Sequence, residues 1–551
     1  MPMTGARPDL RRGHQPAGRP RPLSVPALSY DRGGRLIPRG GLGRSTVALV
    51  VAFCAGLSLL GLAWTLATPF GGSADEVAHY VKALGAGGGD LAGTRVVPPP
   101  GASSEATLLA SVSRVFRVPA ALNPSSPSDG VRCFIGNPAR PASCAAAPTS
   151  THTTSAVSYE GAFPPLAYVL PGVAARLESH PEAALLAARV ANGLTCAVAW
   201  ATGAAGFLAG TGGRRRRWLL AGLVATVTPA AVFLAWDLNP NGPEAAAGVA
   251  FVALALAATR DRAPRWLWWA MGPVGFLLGA SRPVSFLWVG FGLLVPLLLR
   301  GRGALLAARR AGRAAVFGVG VAAAGALSTV VWDLAIGVHS TTGSRDWLAI
   351  ADSGLHQFAA LQAGAISQVD WGEVGLSGHL PLAWEVLVVG LVAAGLVGGT
   401  WRQRTGLVGI SVAYLVVVVV MVGIKAGAGS PTGGRYLLAA AVALPLAAAE
   451  VCSHSRLYPR PAVLAAAVVI TAATQVATLY DSARRYAVGI HGNPAFLWAG
   501  AHWGAIDGWP LVAFVALAGV SLIVFLLPAA SRSPAWDEVA PGSRLTDQYA
   551  G

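Results

Sequence analysis

The chain has 551 residues, 54% hydrophobic and 12% charged, with a formal net charge of +16 and a mean hydropathy of +0.55. Apolar runs recur along its length between short polar breaks, which excludes a soluble globular protein and indicates a polytopic helical membrane protein. The arginines sit in the links between those runs, with no basic face and no aromatic stacking pattern, so they read as topology signals and exclude nucleic acid as partner.

Residues 1–44 hold nine arginines, two aspartates and several Pro and Gly without apolar periodicity. This is the composition of a disordered basic tail that stays in the cytoplasm. The run Val47 to Leu66 is long enough to span and lies too far from the N-terminus for an ordinary cleaved signal peptide. The stretch Thr68 to Lys82, TPFGGSADEVAHYVK, therefore emerges outside. Its spacing places Asp75 and His79 on one helical face beside Glu76, a pattern suited to general-base work on a substrate or to holding a cation. The plainer alternative is that Asp75 caps a short surface helix beginning at Glu76.

From Gly71 to Gly161 the chain is polar and rich in Pro, Ser, Thr and Gly, a long first extracytoplasmic loop carrying short amphipathic helices. Cys133 and Cys144 both fall in it with ten residues between them, and an oxidising compartment permits a disulfide between them. Two unpaired buried cysteines are the alternative. Counting Phe163 to Leu177 as a span would put Arg214 to Arg217 outside. That short Pro-led segment is therefore read as interfacial or re-entrant, and Ala183 to Leu208 as the second span.

The remaining runs alternate without conflict, with spans near 218–236, 243–259, 266–280, 284–299, 314–336, 382–399, 406–424, 435–451, 461–480 and 509–527, twelve in all. The membrane domain then covers 45–530, and both termini, including the tail at 531–551, are cytoplasmic. Gly337 to Leu380 is a second large outer loop, in which Leu355 to Val369 has the pattern of an amphipathic helix lying on the membrane. No internal repeat suggests the two related halves of many transporters.

Against the arginine bias, several cations lie at or near the outer face: Lys82, Arg189, Arg282, Lys425, Arg435, Arg484 and Arg485. Lys82 and Lys425 are the only lysines in the chain. Cations at the membrane boundary suit a phosphate whose lipid tail lies in the bilayer, while snorkelling or pairing with acids and headgroups is the plainer reading. The Gly-rich link from Lys425 to Tyr436 is not a nucleotide loop, because no strand precedes it and no Gly-Lys-Ser/Thr follows. Asp237, Asn239 and Glu244 fall in an outer turn, where they either line the same cavity or cap the turn.

Five short segments occur in order: Pro69 to His79 as Pro-x-x-x-x-x-Asp-Glu-x-x-His; Pro164-Pro165-Leu166-x-Tyr168; Ala188-Arg189-x-x-Asn192; Asn239-Pro-Asn-Gly-Pro-Glu244; and Gly434-Arg435-Tyr436-Leu437-Leu438. By these the chain resembles the domain of unknown function 2142 family of bacterial membrane proteins over about residues 45 to 530. More distantly it resembles the GT-C superfamily of polytopic glycosyltransferases. It departs from the pattern in the Gly-Gly-Ser-Ala before Asp75 and in the length of its first loop.

The resemblance implies an all-α integral membrane protein of the GT-C-like type in the bacterial plasma membrane. Such an enzyme transfers a sugar from a polyprenyl-phosphate donor to an envelope glycan, lipid or protein acceptor at the outer face. Asp75, Glu76 and His79 are then the catalytic candidates, with Asp75 as base. Lys82, Arg189, Asp237, Asn239, Glu244, Arg282, Lys425, Arg435 and Tyr436 are the substrate-binding candidates. A divalent cation is the one cofactor considered, on Asp75 and Glu76. A transporter or flippase of lipid-linked saccharides and a non-catalytic envelope-assembly protein are the other classes.

Overall fold

The computed structural model describes residues 29–30, 36–37 and 43–524, apart from 125–132, 146–147, 338–345, 376–378, 428–431, 458–460 and 497–508. The tail at 531–551 and most of the tail at 1–44 lie outside the described residues. Met1–Gly41 is a unit of its own, in which Ser29–Tyr30 pairs antiparallel with Leu36–Ile37.

All twelve expected apolar segments contain helix. Among the described residues, eight helices are long and apolar enough to cross a membrane: Arg44–Ala67, Pro181–Leu208, Asn241–Ala258, Arg313–Ile336, Leu380–Gly398, Trp401–Ala426, Gly434–His454 and Pro461–Val488. Two further segments are bent pairs, which bring the number to as many as ten. Arg215–Val224 and Pro229–Trp236 meet at 65°, because Pro229 lacks the N–H that would continue the helix and Thr228 caps the restart by accepting from Ala231 N. Phe286–Arg300 and Arg302–Ala311 meet at 113°, turned by Gly301 at φ 45, a backbone conformation open to glycine. Trp266–Gly279, with 14 residues, and Trp509–Val524, with 16, are shorter than the roughly 20 residues that cross the hydrocarbon.

Asn241–Ala258 is buried along its whole length and packs against Pro181–Leu208, Trp266–Gly279, Phe286–Arg300 and Pro229–Trp236. Small residues let the backbones approach. A Cβ on Gly203 would meet Ala250 at 2.5 Å, and one on Gly248 would meet Ala439 at 3.0 Å. Between helices this close contact takes the place of hydrophobic driving force in lipid.

The first loop is more ordered than its composition suggests. Glu76–Gly87 and Ser104–Val112 are helical, and Thr94–Arg95, Arg114–Arg117 and Ser155–Ser158 form a three-stranded antiparallel sheet with Arg114–Arg117 in the middle. Cys133 and Cys144 are joined by a disulfide, with Cα atoms 6.1 Å apart. Leu166–Ala175 is a helix of 10 residues, too short to span, and its Gly172 packs directly against Ala83 and Gly87. In the second loop the helix is Trp347–Ser367, longer than Leu355 to Val369. It begins at Asp346, whose side chain accepts from Leu348 N and Ala349 N. Rather than lying apart from the bundle, it packs against Trp401–Gly427 and the Gly434–Leu437 turn.

Candidate active site

The three acid and imidazole candidates of the Asp-Glu helix point to different places. Glu76 is fully buried, and Arg189 Nε and Nη2 donate to its two oxygens at 2.7 and 2.6 Å. The same guanidinium donates to the carbonyls of Thr65, Thr68 and Pro69, so it ties the end of the first span to the helix that follows. His79 is buried too, its Nδ1 2.9 Å from Tyr168 OH. Burial lowers its pKa to about 3 against the opposing charge of Asp75, which keeps the ring neutral.

Asp75 turns the other way. It stands at the N-terminus of the helix but makes no side-chain capping bond, so the plain capping role does not describe it. Its Oδ2 accepts from Arg435 Nη2 at 2.9 Å and its Oδ1 from Tyr159 OH at 3.3 Å. Its φ is 64, a left-handed conformation uncommon outside glycine although Asp and Asn adopt it more readily than other residues, and here the surroundings hold it. Those surroundings are visible. Asn239 Nδ2 donates to Ala74 O at 3.2 Å, Tyr486 OH to Gly72 O at 2.6 Å and Trp371 Nε1 to Gly71 O at 3.0 Å, so three distant segments hold the turn.

Asp75 lines a cavity of about 510 Å³ together with Glu160, Gln357, Asp370, Lys425 and Arg435, with Tyr436 also in the wall. Arg435 Nη2 also donates to Tyr436 OH at 3.0 Å. The Tyr436 ring centroid lies 4.4 Å from Lys425 Nζ, 4.8 Å from the Arg282 guanidinium and 5.1 Å from that of Arg435, which is cation–π distance. Lys425 forms no ion pair with a carboxylate among the described residues, and its Nζ lies 3.4 Å from Tyr436 OH. Arg282 stands behind this wall, paired to Glu244 at 3.0 Å. Glu244 also accepts from Ser285 and from Trp288 Nε1 at 2.8 Å.

The remaining substrate-binding candidates lie away from the cavity wall. Lys82 is buried, with Nζ donating to Leu91 O at 2.7 Å and Gly161 O at 2.9 Å. Burial lowers its pKa to about 7. Asp237 is buried 3.6 Å from Arg189 Nε. Asn239 supports the Asp75 turn, and Asn192 Nδ2 reaches Asp237 O at 2.7 Å. Asp75 and Glu76 diverge, and among the described residues no group of three or more His, Cys, Asp or Glu is placed to hold a metal ion.

Two acids in the cavity went unselected in the sequence. Glu160 is half-buried, and desolvation together with the charge of Asp75 raises its carboxyl to about 8, with Arg282, Arg435 and Lys425 opposing. Its only sequence signal was its place in the link before Pro164-Pro165. Asp370 is buried and accepts from Ser482 Oγ at 2.9 Å, and burial raises its carboxyl to about 7. Its φ is 58, so two aspartates in left-handed backbone face one cavity.

All five segments singled out in the sequence thus meet around one turn. The family described as a predicted membrane protein, domain of unknown function 2142, matches residues 57–444. The chain belongs to that family. No curated protein and no solved structure matches it. The matched region of this family member begins inside the first span and ends beyond Arg435 and Tyr436, so it contains every acid and cation of the cavity.

Proposed function

We propose that this member of the family is a membrane glycosyltransferase, moving a sugar from a polyprenyl-phosphate donor to an envelope glycan, lipid or protein acceptor at the outer face of the bacterial plasma membrane. The observation that carries this reading is the meeting of Asp75, Glu160 and Asp370 with Lys425 and Arg435 in one cavity. Transfer forms a bond from the acceptor oxygen to the anomeric carbon and breaks the bond from that carbon to the phosphate oxygen, which leaves with the electron pair. The acceptor proton goes to a carboxylate, for which Asp75 is the proposed base and Glu160 its neighbour. Fixed cations stabilise the departing phosphate. Lys425, which has no carboxylate partner among the described residues, takes that role first, with Arg435 holding Asp75 in place.

A second cavity of about 290 Å³ shares the helix Trp347–Ser367 as a wall and is lined largely by apolar groups such as Phe358, Ile366, Val388, Val389 and Leu438. It suits part of a lipid chain. The full count of twelve spans, the GT-C-like arrangement and cytoplasmic termini belong to the same proposal. Favouring an enzyme over a flippase, the central helix Asn241–Ala258 sets a run of Ala, Val, Leu and Phe where a transport path needs polar groups.

The test is transfer by the purified protein in lipid, with synthetic polyprenyl-phosphate sugars. Lys425→Ala should lower kcat/KM for the donor by about 10- to 150-fold, the equivalent of losing one charge-assisted contact of about 1.5–3 kcal/mol. Movement of the donor across vesicles with no new glycosidic bond would replace this reading with the flippase.

A further inference from the structure

At the other end of the bundle is a second polar cavity, of about 770 Å³, which the proposed reaction does not use. Glu244 near the candidate active site and Arg260 in this cavity lie at opposite ends of the helix Asn241–Ala258, about 24 Å apart at ~1.5 Å per residue. The cavity is lined by Arg215, Arg260, Arg262, Arg300 and Arg402, with Asp261 as the single carboxylate among the described lining residues. Those arginines come from four links far apart in the chain.

A bias toward arginine in cytoplasmic links accounts for their presence, but it does not account for their convergence. Glu450, 1% exposed, accepts from Arg260 Nε at 2.9 Å, from Arg300 Nη2 at 2.5 Å and stands 3.2 Å from His454 Nε2. One buried acid therefore gathers two of the lining guanidiniums. Arg402 donates to the Arg300 carbonyl, and Arg262 is held at φ 58, a conformation costly for a side chain of this size. Neither Arg262 nor Arg402 pairs with a carboxylate among the described residues. Gly303 lines the same cavity, and it opens the helix Arg302–Ala311, whose Leu305 and Leu306 are exposed beside Arg309 and Arg310. Exposed leucines interleaved with arginines on one helix face suit the headgroup boundary, where the basic groups reach lipid phosphates.

We propose that this arginine-lined cleft is a binding site for a phosphate-bearing anion, with the phosphate facing Arg262 and Arg402. The ligand chemistry is the same for a phospholipid headgroup and for free phosphate, and the adjoining Leu305 and Leu306 favour the lipid.

The experiment is native mass spectrometry on the full chain in neutral detergent, titrated with phosphatidylglycerol, phosphatidylcholine or inorganic pyrophosphate. Phosphatidylglycerol should bind at least 10-fold more tightly than phosphatidylcholine. The double variant R262Q/R402Q should lose that preference, and D261N should strengthen it. Pyrophosphate binding that is lost in R262Q/R402Q, without selection between the lipids, would support the site and assign it to a soluble ligand. Equal binding of both lipids with no pyrophosphate bound, or an anion preference unchanged in R262Q/R402Q, would overturn the proposal. R262Q/R402Q leaves the Glu450 ion pairs in place, so its elution as folded protein separates lost binding from lost structure.

Discussion

Asp75 and Glu76 are neighbours of the same charge, and the structure expects opposite outcomes from neutralising them. The Asp75 to Arg435 pair is 2.9 Å long with side chains 21% and 24% exposed, so water in the cavity partly screens it and its loss costs less than that of a fully buried pair. Asparagine at that position also tolerates the left-handed backbone well. Asp75→Asn should therefore stay folded and, on the proposed reaction, lose sugar transfer, because the amide cannot take the acceptor proton. The Glu76 to Arg189 pair has side chains 0% and 4% exposed. Glu76→Gln leaves a buried guanidinium with only Asp237, 3.6 Å away, as a charged partner, a loss in the range of about 3–5 kcal/mol for a broken buried pair. The assay is thermal unfolding of both variants in one detergent, followed by fluorescence-detected size exclusion, alongside donor turnover. Wild-type thermal stability in Glu76→Gln, or unfolding of Asp75→Asn at the lower temperature of the two, would refute the assignment of a structural acid beside a cavity acid.

Two further outcomes follow from the same geometry. With its carboxyl raised to about 8, Glu160 binds a proton in the native state that the unfolded chain releases above its ordinary carboxylate range. Stability should therefore fall as pH rises from about 5 through 8, and Glu160→Gln should flatten that decline in a pH series of melting curves. The Cys133 to Cys144 disulfide closes a short loop, so the double Ser variant should lose roughly 2–4 kcal/mol within the first loop. That loss is read as faster proteolysis there, and unchanged proteolysis under non-reducing conditions would count against it.

What the sequence determined is the set of properties that each segment expresses alone. Hydropathy summed over a window specifies which runs become apolar helices, whereas the breaks at Thr228-Pro229 and Gly301 went unread, the first lying inside a run taken as one span at 218–236. The ordered short segments already pointed to the Asp75 turn and to Arg435. Two strands of the first-loop sheet, Arg114–Arg117 and Ser155–Ser158, escaped notice because four-residue segments carry too little alternation to stand out. Which acid faces the cavity was decided only in three dimensions. Glu76 is committed by Arg189, 113 residues away in the chain, and Asp75 by Arg435, 360 residues away. Glu160 and Asp370 join the site, and Lys82 leaves it, for the same reason: burial and pairing of a charge depend on which distant groups the packing brings within a few ångströms, and no local pattern encodes that.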